Sequence, residues 1–167
     1  MNEELKTILL DTLKSTFGID IVSVESPYDF ITITVKKDKV VEIVSHLYDH
    51  EKLQFQFLTD LTASHYPDDK EQLEVVYHLH SLVNNIRVRI KARLSIGTPE
   101  IATLTGVFAG ANWMERETFD NLGVVFKGHP NLKRILNVDD MIIFPLLKEF
   151  PLEDQVRLDK NDTMFGR

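Results

Sequence analysis

From Leu73 to Leu94 the chain alternates apolar and polar residues on both sides of Asn84-Asn85. A two-residue period marks strands with one buried face, and two such runs around a turn signal form a hairpin. Asparagine tolerates positive φ, so Asn84-Asn85 reads as a two-residue turn with Val83 opposite Ile86 and Leu79 opposite Ile90. One face then carries Val75, Tyr77, Leu79 and Ser81 with Leu94, Ala92, Ile90 and Val88. The other carries Val76, His78, His80 and Leu82 beside Arg93, Lys91, Arg89 and Arg87. One face is core and the other is basic.

The remaining elements fall around this hairpin. Leu5, Ile8, Leu9, Thr12, Leu13 and Thr16 recur at helical spacing over 3–17, and Gly18 is a stop. Short strands follow at 21–24 and 31–35, separated by a turn at Pro27-Tyr28-Asp29. Asp38 is placed to cap a helix over 39–50 with Val40, Ile43, Val44 and Leu47 on one face. A third strand runs from Phe55 to Thr62. Beyond the hairpin, Thr98-Pro99-Glu100 opens a helix containing Ile101, Leu104, Val107 and Phe108. A further helix spans Trp113 to Asn121 and stops at Gly123.

The order is α-β-β-α-β-β-β followed by helices, with no internal repeat and no low-complexity segment. It predicts an α+β fold: a mixed or antiparallel sheet, helices on one face, and an extended C-terminal tail. The expected division is an α+β domain over 1–126 and a docking tail over 127–167.

The sequence narrows the chemistry by what it lacks. There are no cysteines, which excludes disulfides, cysteine-held zinc or iron–sulfur sites and a thiolate nucleophile. A net charge of −7 argues against general nucleic-acid binding. No apolar run approaches the ~18–20 residues that cross a bilayer, and the acidic start Asn2-Glu3-Glu4 is unlike a signal peptide. G-x-G-x-x-G, G-x-x-x-x-G-K-[ST] and G-x-S-x-G are all absent.

Four clusters offer chemistry, and each has a plainer explanation. His78 and His80 point the same way on a strand, but cations surround them and no carboxylate is expected on that face, which opposes a metal. Glu115, Glu117 and Asp120 lie within two helical turns, and Glu117 and Asp120 share a face. No Glu-x-x-His follows, as a di-iron helix would need, so structural or interface use is expected. Gly106-Val107-Phe108-Ala109-Gly110 matches a motif of membrane helices, yet here Gly110 reads as a helix stop. The row Arg87, Arg89, Lys91, Arg93 lacks interleaved aromatics on its own face, so a solvated face or an acidic protein neighbour is the better reading than nucleic acid.

The tail is anomalous. Leu132, Ile135, Leu136, Met141, Ile142, Ile143, Phe144, Leu146, Leu147, Phe150 and Leu152 are too apolar for a free tail, and Pro145 and Pro151 break any regular element. Such a strap must bury side chains on its own domain or on a partner.

Glu115-Arg116-Glu117-Thr118-Phe119-Asp120, Gly123-Val124-Val125-Phe126 and Gly128-His129-Pro130-Asn131-Leu132-Lys133-Arg134-Ile135-Leu136 together resemble the signature of the C-type, 30-kDa subunit family of respiratory complex I. Ala111-Asn112-Trp113, Phe57 to Ala63 and Glu74 to Leu79 resemble that family as well. The likeness spans about Phe55 to Leu152. Two positions depart from it: Leu147 stands where an arginine is usual, and His65 where an aspartate is usual.

The resemblance implies a subunit without catalytic, cofactor-binding or metal-binding residues of its own. It packs on the D and B subunits and neighbouring hydrophilic subunits of a proton-pumping NADH:quinone oxidoreductase, whose other chains use FMN, iron–sulfur clusters, NADH and quinone. It implies a peripheral place at the cytoplasmic face of the bacterial inner membrane, reached only through the complex. The implied interface residues are Trp113, Glu115, Arg116, Glu117, Asp120, Gly123, Gly128, His129, Pro130, Leu132, Arg134, Pro145 and Lys148. The equivalent subunit of a nickel–iron hydrogenase or ferredoxin-fed relative is the alternative, and a free-standing hydrolase with a cryptic site is a second.

Overall fold

The computed structural model describes residues 3–150. Leu152 and the other residues of 151–167 lie outside the described residues. The elements run α1 (Glu3–Phe17), β1 (Ile21–Glu25), β2 (Thr32–Val35), α2 (Val40–Asp49), β3 (Phe57–His65), β4 (Leu73–Ser81), β5 (Ile86–Leu94), β6 (Glu100–Ala102), α3 (Ala111–Leu122) and β7 (Val125–Lys127).

Five strands form one sheet in the order β1-β2-β5-β4-β3. Only the β2–β5 pair is parallel, so the sheet is mixed. Its apolar face carries Val75, Tyr77 and Leu79 from β4 with Val88, Ile90, Ala92 and Leu94 from β5, all buried. Leu9 and Leu13 of α1 and Ile43, Val44 and Leu47 of α2 join the same core. That is the expected α+β arrangement, with helices packed on the apolar face.

Four local expectations are corrected. The hairpin turns through four residues, so Ser81 pairs with Ile86 and Leu79 with Val88, not Ile90. Asn84 explains the longer loop: its amide donates to the Lys52 and Leu53 carbonyls at 2.8 and 3.1 Å, tying the turn to a distant loop. The slip is two residues, which preserves face assignment; a slip of one would have inverted it. Asp38 does not cap α2, whose N-cap is Lys39 without a side-chain bond. The helix expected from Thr98 is instead β6, which pairs in parallel with β7. Gly110 precedes α3 as its N-cap and does not end a helix.

The basic face also differs from expectation. Glu74 lies on it, nearly fully buried, and accepts from Lys91 Nζ at 2.8 Å and Arg93 Nε at 2.7 Å. Asp60 of β3 stands 3.4 Å from His78 Nδ1, while Arg89 Nε donates to His78 Nε2 at 2.8 Å. Burial, then the adjacent Arg89 charge, lowers the His78 pKa. The face is a lattice of paired charges.

Candidate functional site

Helix α3 organises the second half of the chain. Positions 111, 115, 118 and 122 fall on one side at helical spacing, and 113, 116, 117 and 120 on the other. The first set is buried. Thr118 Oγ1 donates to the Leu61 carbonyl at 3.5 Å, which seats this side against β3. The C-terminal segment lies over the other side, so α3 is a middle layer between sheet and tail.

Asp120 is the centre of the outer contact. Its carboxylate is fully buried. Oδ2 accepts backbone N–H bonds from Ile135, Leu136 and Asn137 at 3.0, 2.7 and 3.0 Å. Oδ1 accepts from Arg134 Nη1 at 2.7 Å and Asn137 Nδ2 at 3.0 Å. Burial alone would raise its pKa. The Asn137 and Leu136 amides, with Arg134, outweigh that and hold it well below the usual carboxylate range.

Arg134 continues the network inward. Its Nη2 donates to the Met141 and Ile143 carbonyls at 2.8 and 3.1 Å, and its guanidinium lies 5.0 Å from the Phe144 ring centre. Arg116 donates to the Lys133 and Arg134 carbonyls at 3.0 and 3.2 Å and sits 4.9 Å from the Trp113 ring. Two arginines and one aspartate thus convert a proline-broken segment into a fixed loop whose backbone groups are satisfied by charge-assisted bonds.

Glu115 plays the corresponding part on the inner side. It is buried, accepting from Thr103 Oγ1 at 2.5 Å and from the Leu104 N–H at 2.6 Å. Burial pushes its carboxyl above the ordinary value, partly countered by those two bonds and by His129. His129 Nδ1 accepts from the Asn131 N–H at 3.0 Å. The ring proton therefore sits on Nε2, which donates to the Asn112 carbonyl at 3.1 Å.

Gly123 ends α3 with φ +76°, as expected of a helix stop, and Gly128 has φ +85°. Leu132 packs half-buried on the core and Pro145 is half-buried. The Lys148 backbone N–H donates to His65 Nδ1 at 3.0 Å, while its side chain is exposed. Glu117 and Pro130 are exposed, and Trp113 is 63% exposed.

The residues named from sequence therefore divide. Glu115, Arg116, Asp120, Gly123, His129 and Arg134 bind the chain to itself, while Trp113, Glu117, Pro130 and the Lys148 side chain face outward. Sequence reasoning missed Thr103 and Asn137, which complete the two carboxylate sites. No local pattern marks either, because each acts on a residue 12 or 17 positions away. Among the described residues no group of three His, Asp or Glu side chains could hold a metal, and no helix is long and apolar enough to cross a membrane.

The sequence model of the family described as "Respiratory-chain NADH dehydrogenase, 30 Kd subunit" matches residues 33–156. The chain belongs to that family. Its 30-kDa relatives include the C-type subunit of the NADH-quinone oxidoreductase of Geotalea uraniireducens, 38% identical over 141 residues, covering 84% of this chain and 85% of the relative. The corresponding protein of Geobacter sulfurreducens is 41% identical over 142 residues, covering 84% and 86%. A solved trypsin-resistant fragment (1-134) of Nqo5 superposes with TM-score 0.66 at 25% identity, covering 77% of this chain and 99% of the fragment. The fold also occurs in an archaeal membrane-bound sulfane sulfur reductase, with TM-score 0.73 at 20% identity over 88% of this chain and 85% of that one.

Proposed function

We propose that the chain is an accessory, cofactor-free subunit in the peripheral arm of a proton-pumping NADH:quinone oxidoreductase, docking on its D and B subunits through the segment 127–167. On this reading residues 1–126 are the scaffold and the chain supports electron transfer from NADH to quinone by holding cofactor-bearing neighbours in place. It reaches the cytoplasmic face of the membrane only through those neighbours. The relatives named above are subunits of NADH-quinone oxidoreductase, which favours that complex over a hydrogenase or a ferredoxin-fed machine.

One observation carries the proposal. Leu136, Val138, Ile142 and Leu146 are 68%, 64%, 93% and 58% exposed, on a loop whose backbone is fixed to Asp120 and Arg134. A free loop would not expose such residues on a rigid frame without something to cover them. Burying each is worth ~1.5–3 kcal/mol, and the ordering cost of the loop has already been met within the chain. Trp113 with Arg116 against it supplies the residue types that dominate interfaces.

The test is the pair Ile142→Asp and Leu146→Asp in the full chain, expressed in cells lacking the natural copy. The isolated double variant should keep its thermal stability, because both side chains are exposed. Recovery of the D and B subunits with it from mild detergent should fall at least tenfold, with NADH:quinone activity of the membranes. Undiminished recovery would overturn the docking assignment.

A further inference from the structure

The far edge of the sheet from α3 is open. Strand β1 ends the strand order and pairs only with β2. At the opposite edge Thr118 of α3 reaches the Leu61 carbonyl of β3. No such cover exists over β1: among the described residues, the only backbone bond at its start beyond the β1–β2 ladder is Lys36 N–H to the Asp20 carbonyl at 3.0 Å. One row of β1 amides and carbonyls is therefore free to pair with another extended chain.

The side chains along this edge are apolar. Val22 is 67% and Val24 39% exposed, with Ile19 before the strand and Tyr28 after it almost wholly in solvent. Tyr28 is held in the left-handed region at φ 52°, ψ 39°, a strained conformation for a residue with a side chain. Natural edge strands are usually blunted by lysine, proline, an inward charge or a bulge. Here a bulge falls at Val22, but Ser23, Val24 and Glu25 stay in regular register with Thr34, Ile33 and Thr32.

The charges indicate which chain fits. From Ser15 to Val35 there is no lysine or arginine. Asp20 is paired with Lys36, which leaves Glu25 without a partner at the end of the strand. We propose that β1 accepts an added strand from a different protein: an extended segment with apolar residues at alternate positions and basic residues between them. Backbone pairing would supply the attachment and the Val22–Val24 surface the selectivity. A second copy of this chain fits poorly, because antiparallel pairing of two β1 strands would bring two Glu25 carboxylates to one seam with no cation. This inference does not depend on the docking of the C-terminal segment.

The probe is a synthetic eight-residue peptide of alternating Lys and Val, with an alternating Glu and Val peptide as its counterpart. Binding to the full chain is followed by fluorescence anisotropy and by amide hydrogen exchange. The Lys–Val peptide should bind at least tenfold more tightly and slow exchange across Ser23 to Glu25. Glu25→Lys should abolish that preference, whereas Glu51→Lys, the same charge change at a distant exposed site, should leave it. Equal binding of the two peptides, protection elsewhere than β1, or equal loss in both variants would overturn the proposal. So would concentration-dependent dimerisation that protects β1 without peptide.

Discussion

A β-carbon placed on Gly123 would lie 2.7 Å from the Phe144 ring. The α3 terminus and the C-terminal loop meet so closely there that only hydrogen fits between them. Gly123 also has φ +76°, so two separate demands fall on one residue.

Gly123→Ala should therefore destabilise by at least about 2 kcal/mol, from the left-handed backbone and from crowding together. That corresponds to a fall in Tm of roughly 4–8 °C in a chain of this size. Gly123→Asn separates the causes, because asparagine tolerates the backbone but still meets Phe144. If Asn restored full stability, the ring contact would be unimportant.

Asp120→Asn removes the charge while keeping the shape. It leaves Arg134 buried without its partner and turns an amide group toward the donors of residues 135–137. The expected loss is about 3–5 kcal/mol by urea titration, with rapid tryptic cleavage after Lys133 and Arg134. Combining it with Arg134→Met removes the orphaned cation and should recover part of the loss. An additive double variant would mean that the two side chains do not act as a pair.

The two buried carboxylates of α3 should oppose each other in pH dependence. Asp120 has a folded pKa below its unfolded value of ~3.9. Its contribution is present above that value and lost as pH falls through the folded pKa. Glu115 has a folded pKa above its unfolded value of ~4.3. Its contribution is full below that value and lost as pH rises through the folded pKa. Glu115→Gln should flatten the decline on the alkaline side of ~4.3 and leave the acid limb intact. Urea midpoints from pH 3 to 7 decide it, and an unchanged profile would count against a raised Glu115 pKa.

His65 and the segment 147–148 suggest a coupled substitution. His65 accepts the Lys148 N–H, and Leu147 beside it is 7% exposed. These are the two places where the chain departs from the family signature, and the fold brings them to one seam. His65→Asp alone should destabilise by ~1–3 kcal/mol through burial of a poorly partnered charge. Adding Leu147→Arg should recover at least about 1 kcal/mol of it in a double-mutant cycle. Zero coupling energy would show that the two positions are independent.

Periodicity located most elements because it reports burial directly. α1, α2, the five sheet strands and the Gly123 stop were all legible, and the hairpin kept its faces although its register slipped by two. The failures share one physical origin. Glu100–Ala102 forms a strand only because Val125–Lys127 lies beside it, so local capping chemistry at Thr98-Pro99 pointed the wrong way. Asn84 lengthens its turn by bonding to Lys52 and Leu53, more than thirty residues earlier. The charged signature residues looked like an interface, yet Asp120 and Arg134 face one another and leave the outer surface to Leu136, Val138, Ile142 and Leu146. A sequence shows that a carboxylate is present but not which amides will surround it.

The Asp120 network also has a schedule. All five strands of the sheet lie between residues 21 and 94, so the sheet is complete in sequence before α3 has been synthesised. Asp120 emerges some 15 residues ahead of the amides that satisfy it. At ribosomal speeds of ~5–20 residues per second that gap lasts about one to three seconds. During it the outer side of α3 is bare, with Trp113 and an unsatisfied carboxylate in view. The newborn subunit thus passes through an interval in which a chaperone or a misplaced strand could claim that surface, and the arrival of residues 134–137 closes it.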